Sequence, residues 1–134
     1  MEITADLIKK YAKYTTPELR QKAGVVFRRF IRIRDEGQMC ISCNSWHTRD
    51  ASHFYSAGHY PALEFNEDNV HLSCASCNRF KGGNLHEYRK RLIKKIGEDR
   101  VKALDDLSDA YKKTAYKHDR FRLIEILEEY RCTK

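Results

Sequence analysis

Nothing in the 134 residues approaches the roughly 18 consecutive apolar positions that a membrane-spanning helix needs. The opening residues, Met1-Glu2-Ile3-Thr4-Ala5-Asp6, lack the charged-then-apolar form of a secretory leader. Both absences predict a soluble, cytoplasmic protein with no membrane partner. No segment repeats and none is of low complexity, which excludes solenoids and linker-like tracts. Proline is scarce: the two residues are Pro17, at a helix start, and Pro61, in a loop. What is present argues against disorder, with 41% hydrophobic and 11% aromatic residues. The length fits one domain with a small core, and domains near this size often lean on a metal or a partner chain.

Acidic charge is in deficit, and the deficit is local. Against a net charge of +7, residues 1–34 hold nine Lys/Arg and three Asp/Glu. Residues 35–78 hold only Arg49 against six acids, and residues 79–102 again hold nine basic and three acidic residues. The remaining residues are neutral, with seven of each sign. A charge run alone is usually a solvated helix face. Two basic blocks around a carboxylate-bearing centre point instead to a polyanion held by the flanks.

Periodicity predicts helices at both ends. Thr4 caps a short helix to about Tyr14, and Thr16-Pro17-Glu18 reads as the start of a second that runs to Asp35. Val26, Phe27, Phe30 and Ile33 stripe it, with Arg28, Arg29, Arg32 and Arg34 on its other faces. Two short strands are expected at about 51–55 and 69–73. Asn84-Leu85-His86-Glu87 has the form of a capping box opening a helix that ends near Gly97. Further helices are expected from Glu98 to Leu107 and under the stripe Leu123, Ile126, Leu127 and Tyr130. These give one α+β, mostly α domain: basic helices over 1–36, a core over 37–97, and C-terminal helices over 98–134. The stripes at 17–35 and 115–131 are candidate dimer surfaces.

Cys40-Ile41-Ser42-Cys43 and Cys74-Ala75-Ser76-Cys77 are two C-x2-C pairs separated by thirty residues. Each offers two thiolates from one tight turn, and two such knuckles complete a tetrahedral structural zinc site, one per chain. Disulfides fit a chain without an export signal poorly. Cys132 reads as an ordinary thiol. Between the knuckles lie His47, His53, His59, Asp50, Asn66 and Asn69, with His71 just before the second pair and Asn78 just after it. Taken singly, His47, His71, His86 and His118 read as surface or satisfied core histidines, Asn66 and Asn69 as turn formers, and Trp46, Phe54, Tyr55 and Tyr60 as core aromatics.

Their joint order is more specific. His53 on the first strand, Asn69 on the second, then Cys74-x-x-Cys77-Asn78 leading into a helix resembles the HNH (ββα-metal, His-Me finger) nucleases. That resemblance implies a zinc-stapled ββα-metal core flanked by helices. It makes His53 the general base, Asn69 the residue that steadies the loop, and Asn78 a ligand of one Mg2+ or Mn2+. The same Asn at the ligand position occurs in the endonuclease VII type of junction resolvase.

A closer match runs through Cys40-Ile-Ser-Cys43, Asp50-Ala51-Ser52-His53-Phe54, Phe65-Asn66-Glu67-x-Asn69-Val70-His71, Cys74-x-x-Cys77-Asn78 and Gly83-Asn84-Leu85, then on through Tyr88-Arg89 and Leu92-Ile93-x-x-Ile96-Gly97. This resembles the phage NinG/Rap recombination endonucleases over about residues 25–105. The resemblance implies a phage- or prophage-encoded enzyme in the cytoplasm of a bacterial host. It would cut branched DNA, four-way Holliday junctions included, to leave 5′-phosphate and 3′-hydroxyl ends. The chain departs from that family's pattern in two places and from many HNH enzymes in a third. A lambdoid relative carries an additional cysteine-containing N-terminal region, Ser52 stands where the family has Gly, and many HNH enzymes place an Asp directly before the histidine.

Asp50, three residues before His53, is therefore one candidate first-strand ligand, reached through a bulge. Water, or His53 itself with His59 as base, are the others. Phosphate contacts are expected from Arg28, Arg29, Arg32, Arg79, Lys81, Arg89, Lys90, Arg91, Lys94 and Lys95. A junction is two-fold symmetric and needs paired cuts, which suggests a homodimer. A general HNH nicking or restriction enzyme and a non-catalytic zinc DNA-binding module are the alternatives.

Overall fold

A computed structural model describes residues 2–111 and 116–131; Cys132 lies outside them. The order is α1 (Ala5–Tyr11), α2 (Thr16–Arg34), β1 (Thr48–His53), β2 (Val70–Cys74), α3 (Leu85–Ile96), α4 (Glu98–Ala110) and α5 (Arg120–Tyr130). The protein is α+β and mostly helical, with one two-stranded antiparallel sheet. Among the described residues, no helix is long and apolar enough to cross a membrane.

Two adjacent threonines at the start of α2 both suit a cap, and the first takes the role. Thr15, not Thr16, accepts from the Glu18 amide while the Glu18 carboxylate accepts from the Thr15 amide, a reciprocal capping box. The buried line of α2 is Leu19, Ala23, Phe27 and Ile31, spaced four apart. Val26 and Phe30, expected at its centre, are only partly buried at its edge. This line packs on Leu123, Ile124, Ile126, Leu127 and Tyr130 of α5. Phe27 meets Tyr130 edge-on, with ring centroids 5.1 Å apart. The two stripes read as dimer surfaces therefore cover one another within a single chain.

β1 begins three residues earlier than expected and ends at His53, two earlier. It pairs with β2 across a bulge between Thr48 and Asp50. Every residue of β2 is buried. Its alternation sends Val70 and Leu72 into the α2–α5 core. His71 faces the other way, toward the Tyr88 ring of α3. On that side a second core joins Ile41, Phe54 and Leu63 to Tyr88 and Leu92 of α3 and Val101 and Leu104 of α4. Gly97, at φ +94°, makes the corner between α3 and α4. The start of α3 departs from the expected capping box. Asn84 is left-handed (φ 50°, ψ 55°) and its side chain caps nothing. Its Nδ2 instead donates toward Cys77 Sγ at 3.6 Å.

Candidate functional site

The four knuckle cysteines converge. The Sγ atoms of Cys40, Cys43, Cys74 and Cys77 all lie within 4.8 Å of one another. Four thiolates at a zinc–sulfur distance near 2.3 Å stand about 3.8 Å apart on a tetrahedron, and the Cys43–Cys74 separation is 3.7 Å. The Ser42 amide donates to Cys40 Sγ and the Cys77 amide to Cys74 Sγ, contacts that favour the charged sulfur. Burial pushes the Cys77 thiol up to about 12 and raises that of Cys43, so these sulfurs ionise readily only against a cation. The cluster could hold a zinc ion, with all four positions taken by protein.

Beside it lies an open cleft of about 320 Å³ lined by Ala51, His53, Ser56, Ala57, Asn78, Gly82 and Gly83. His53 reaches it from the end of β1. Its Nε2 sits 2.9 Å from the Glu64 carbonyl oxygen. A carbonyl only accepts, so Nε2 carries the proton and Nδ1 keeps the lone pair. Burial lowers the imidazole's pKa, further helped by the Arg28 guanidinium and opposed by the Glu64 contacts. The ring is therefore held neutral at neutral pH.

Asn78 enters from the turn Ser76–Phe80 that follows the second knuckle. Its Nδ2 donates to Asp50 Oδ2 at 3.0 Å, and its Oδ1 accepts from the Ser52 hydroxyl at 3.0 Å. Asp50 also pairs with the Arg79 guanidinium at 3.1 Å. Burial works against ionisation of Asp50, but Asn78 and Arg79 outweigh it and leave its pKa below the ordinary carboxylate range. The bulge in β1 precedes Asp50 directly. The oxygen of Asp50 and the amide of Asn78 thus stand together beside the cleft that His53 lines.

Asn69 does not reach the cleft. Fully buried, it spends every polar atom on backbone: Nδ2 donates to the Tyr55 and Leu63 carbonyls and Oδ1 accepts from the Tyr55 amide. It is a positioning residue that clamps the loop leaving β1, and with it His53, rather than a reacting group. His59 is exposed, and its Nδ1 lies 2.9 Å from Ser56 Oγ, so it approaches the cleft only through Ser56.

The expected phosphate contacts divide. Arg89 pairs with Asp105, Arg91 with the Ser42 carbonyl and Glu87, Lys95 with Asp35, and Arg79 with Asp50. Lys90 meets Glu87 at 3.3 Å. Arg29, Arg32, Lys81 and Lys94 are exposed and Arg28 half-buried, all five without an ion pair among the described residues. Charge counting cannot see which cations fold the protein and which remain for a partner.

Some features escaped the sequence reading. Trp46, taken as core, is 70% exposed, and Phe80 stands out beside Asn78 at 83%. His118 lies ahead of α5 rather than in a helix, 3.0 Å from Glu64. His71, by contrast, is the satisfied core histidine expected of it, buried and neutral: burial, aided by Lys95, drives its pKa down to about 4. Its Nε2 donates to the Asp68 carbonyl, and Lys95 Nζ lies 2.8 Å from Nδ1.

Comparison with known proteins places the chain in a family. A family model described as Bacteriophage Lambda NinG protein matches residues 2–133. Protein ninG of Escherichia phage lambda is 42% identical over 78 residues, covering 57% of this chain and 38% of that protein. Protein ninG of Salmonella phage P22 is 40% identical over 86 residues, covering 63% and 41% respectively. The chain thus aligns with about two fifths of the length of these relatives. No solved structure matches it. With a family model running over nearly its whole length, this chain belongs to the NinG family of bacteriophage lambda-type proteins.

Proposed function

We propose that this protein is a metal-dependent, structure-selective DNA endonuclease that resolves four-way junctions in phage recombination, working in the host cytoplasm as a homodimer around an HNH-type ββα-metal core. The observation that carries the reading is the shared cleft. His53, from the end of β1, and Asn78, from the turn after β2, line one open space, with Asp50 against Asn78.

The donor set fits a hard divalent ion, since Asp50 and the Asn78 amide offer oxygens and no sulfur. Arg79 on Asp50 marks the place where positive charge is already stabilised. Asp50 and Asn78 would hold Mg2+ or Mn2+, which supplies Lewis acidity toward the phosphate and its departing 3′ oxygen. His53 takes a proton from the attacking water at Nδ1 while the Glu64 carbonyl fixes its ring from Nε2. The lowered pKa keeps Nδ1 free to do so below the usual histidine range. Ser52 orients the Asn78 amide, and Asn69 keeps the His53 loop in place. Exposed cations such as Arg29, Arg32 and Lys81 meet phosphates. None of these residues reads base edges, so selection by shape is the consistent mode.

The test is cleavage of an immobile four-way junction against linear duplex of the same sequence, with Mg2+ or Mn2+. Cutting of the junction in preference to duplex is expected, abolished by EDTA and lowered about 10²- to 10⁴-fold by His53→Ala. Equal rates on the two substrates would make it a general nicking enzyme. Wild type that cuts no faster than His53→Ala while still binding DNA would leave only a zinc binding module.

A further inference from the structure

We infer that a second groove, which shares no lining residue with the cleft, binds an unpaired stretch of DNA by stacking a base on Trp46 and holding its phosphates on α3. The inference rests on the DNA reading above for the class of ligand only. The groove is open, about 470 Å³, and has two unlike walls. One is the knuckle segment, which presents Met39 and the exposed indole of Trp46. The other is α3, which presents Lys90, Arg91 and Lys94.

Both walls are built rather than loose. Asn44 turns the knuckle in the left-handed region (φ 62°), and the Cys40 amide donates to the Ser45 carbonyl at 2.7 Å. These contacts carry Trp46 out on a short, fixed arm. Across the groove, Arg91 Nη1 donates to the Ser42 carbonyl at 2.5 Å, tying α3 to the same knuckle. Glu87 is the one acid in the lining, and it is taken up by Lys90 and Arg91. Lys94 has no ion pair among the described residues.

An indole left in water beside such a row of cations suits a ligand that is flat and apolar on one side and anionic on the other. A nucleotide has that form. Stacking requires a base face, which a continuous duplex hides and an unpaired strand offers. An acidic protein segment would satisfy the cations but leave the indole without a flat partner.

Trp46 is the only tryptophan in the chain, so intrinsic fluorescence reads this groove directly. The zinc-loaded full chain is titrated, without added Mg2+ or Mn2+, with a single-stranded oligothymidylate of about 12 nucleotides. A blunt duplex and an oligoglutamate peptide are titrated in parallel. Saturable quenching by the single strand is expected, at lower concentration than by duplex. Trp46→Ala should weaken single-strand affinity roughly 5- to 100-fold by anisotropy of a labelled strand, with Trp46→Phe recovering most of it. Lys90→Gln with Lys94→Gln should lower the salt slope by about 1.4.

Binding without quenching, equal quenching by duplex, or equal quenching by the peptide would each overturn the proposal. The two readings fail separately. Junction cleavage with no quenching sinks the groove and leaves the nuclease. Quenching with no cleavage in Mg2+ supports the groove and sinks the nuclease.

Discussion

The two sides of β2 are held together by different physics. On one, α2 and α5 close over a continuous apolar core around Leu19, Phe27, Ile31, Leu123 and Ile126. On the other, the core under α3 and α4 is smaller, and it shares its space with the cysteine cluster and with polar contacts. Ser42, Tyr88 and Arg91 all reach backbone carbonyls there. Among the described residues, the first side holds no cluster of metal-ligating side chains. The second brings four sulfurs together, three of them buried, in an arrangement that could hold a zinc ion. The candidate site straddles the two: Asp50, Ser52 and Asn78 belong with the cysteine-bearing side, whereas His53, paired across the sheet with Val70 and close enough to feel Arg28, faces α2.

The strongest way to break this contrast is to deny the four cysteines a metal. Structural zinc sites contribute about 10–16 kcal/mol of apparent binding free energy near neutral pH. Chelation, or Cys74→Ser, should therefore unfold the knuckle side. Amide exchange would show protection lost over β1, β2 and α3, and kept longest in α2 and α5. Uniform loss across all five helices would show that the two sides are one cooperative unit. Phe27→Ala attacks the other side, where the ring is buried against Phe65 and Tyr130. It should cost about 3–5 kcal/mol in denaturant unfolding of the zinc-loaded protein while leaving zinc stoichiometry unchanged.

A subtler difference is pH sensitivity. His71 is neutral in the fold to about pH 4, whereas in the unfolded chain it takes a proton near its usual 6.5. The stability it contributes is full above that value and falls as pH drops from 6.5 toward 4, by about 3 kcal/mol in all. His71→Gln should flatten that part of the acid limb, and an unchanged limb would assign it elsewhere. The smallest effect expected is at the α2 cap. Thr15→Ala removes one half of a reciprocal pair and should cost about 1 kcal/mol, read in the same denaturant assay.

Helices were the most legible part of the sequence, because a four-residue apolar spacing with a cap and a proline at its start leaves little else for α2 to be. Its cap was misplaced by one residue because Thr15 and Thr16 are chemically alike and only backbone geometry selects between them. Asn84 misled for a related reason. A side-chain cap needs extended backbone at that residue, and the left-handed turn after Gly82 and Gly83 points the amide at a sulfur instead.

The cysteine cluster was legible because C-x2-C fixes both ligands on one turn. Trp46 was not, since hydrophobicity predicts burial and the knuckle's tight turn overrides it. Nor was the allocation of the basic residues. Arg89 and Lys95 look like phosphate contacts in the chain and are satisfied by Asp105 and Asp35 in the fold. The motif order brought His53 and Asn78 to one cleft, while Asn69's place in the backbone rather than the cleft needed the coordinates.

The pairing of α2 with α5 also bears on how the chain assembles. These helices lie near opposite ends of the sequence, so their contact must close a very long loop before its apolar surface is buried. Closure entropy grows with loop length, and folds built on distant contacts form slowly. The knuckles lie within that loop and bridge its residues 40–77. Once Cys40 and Cys43 share a site with Cys74 and Cys77, much of the intervening chain no longer counts toward the closure. Metal capture early in folding would then speed the docking of helices that never touch a sulfur, making zinc supply a determinant of refolding rate as well as of final stability.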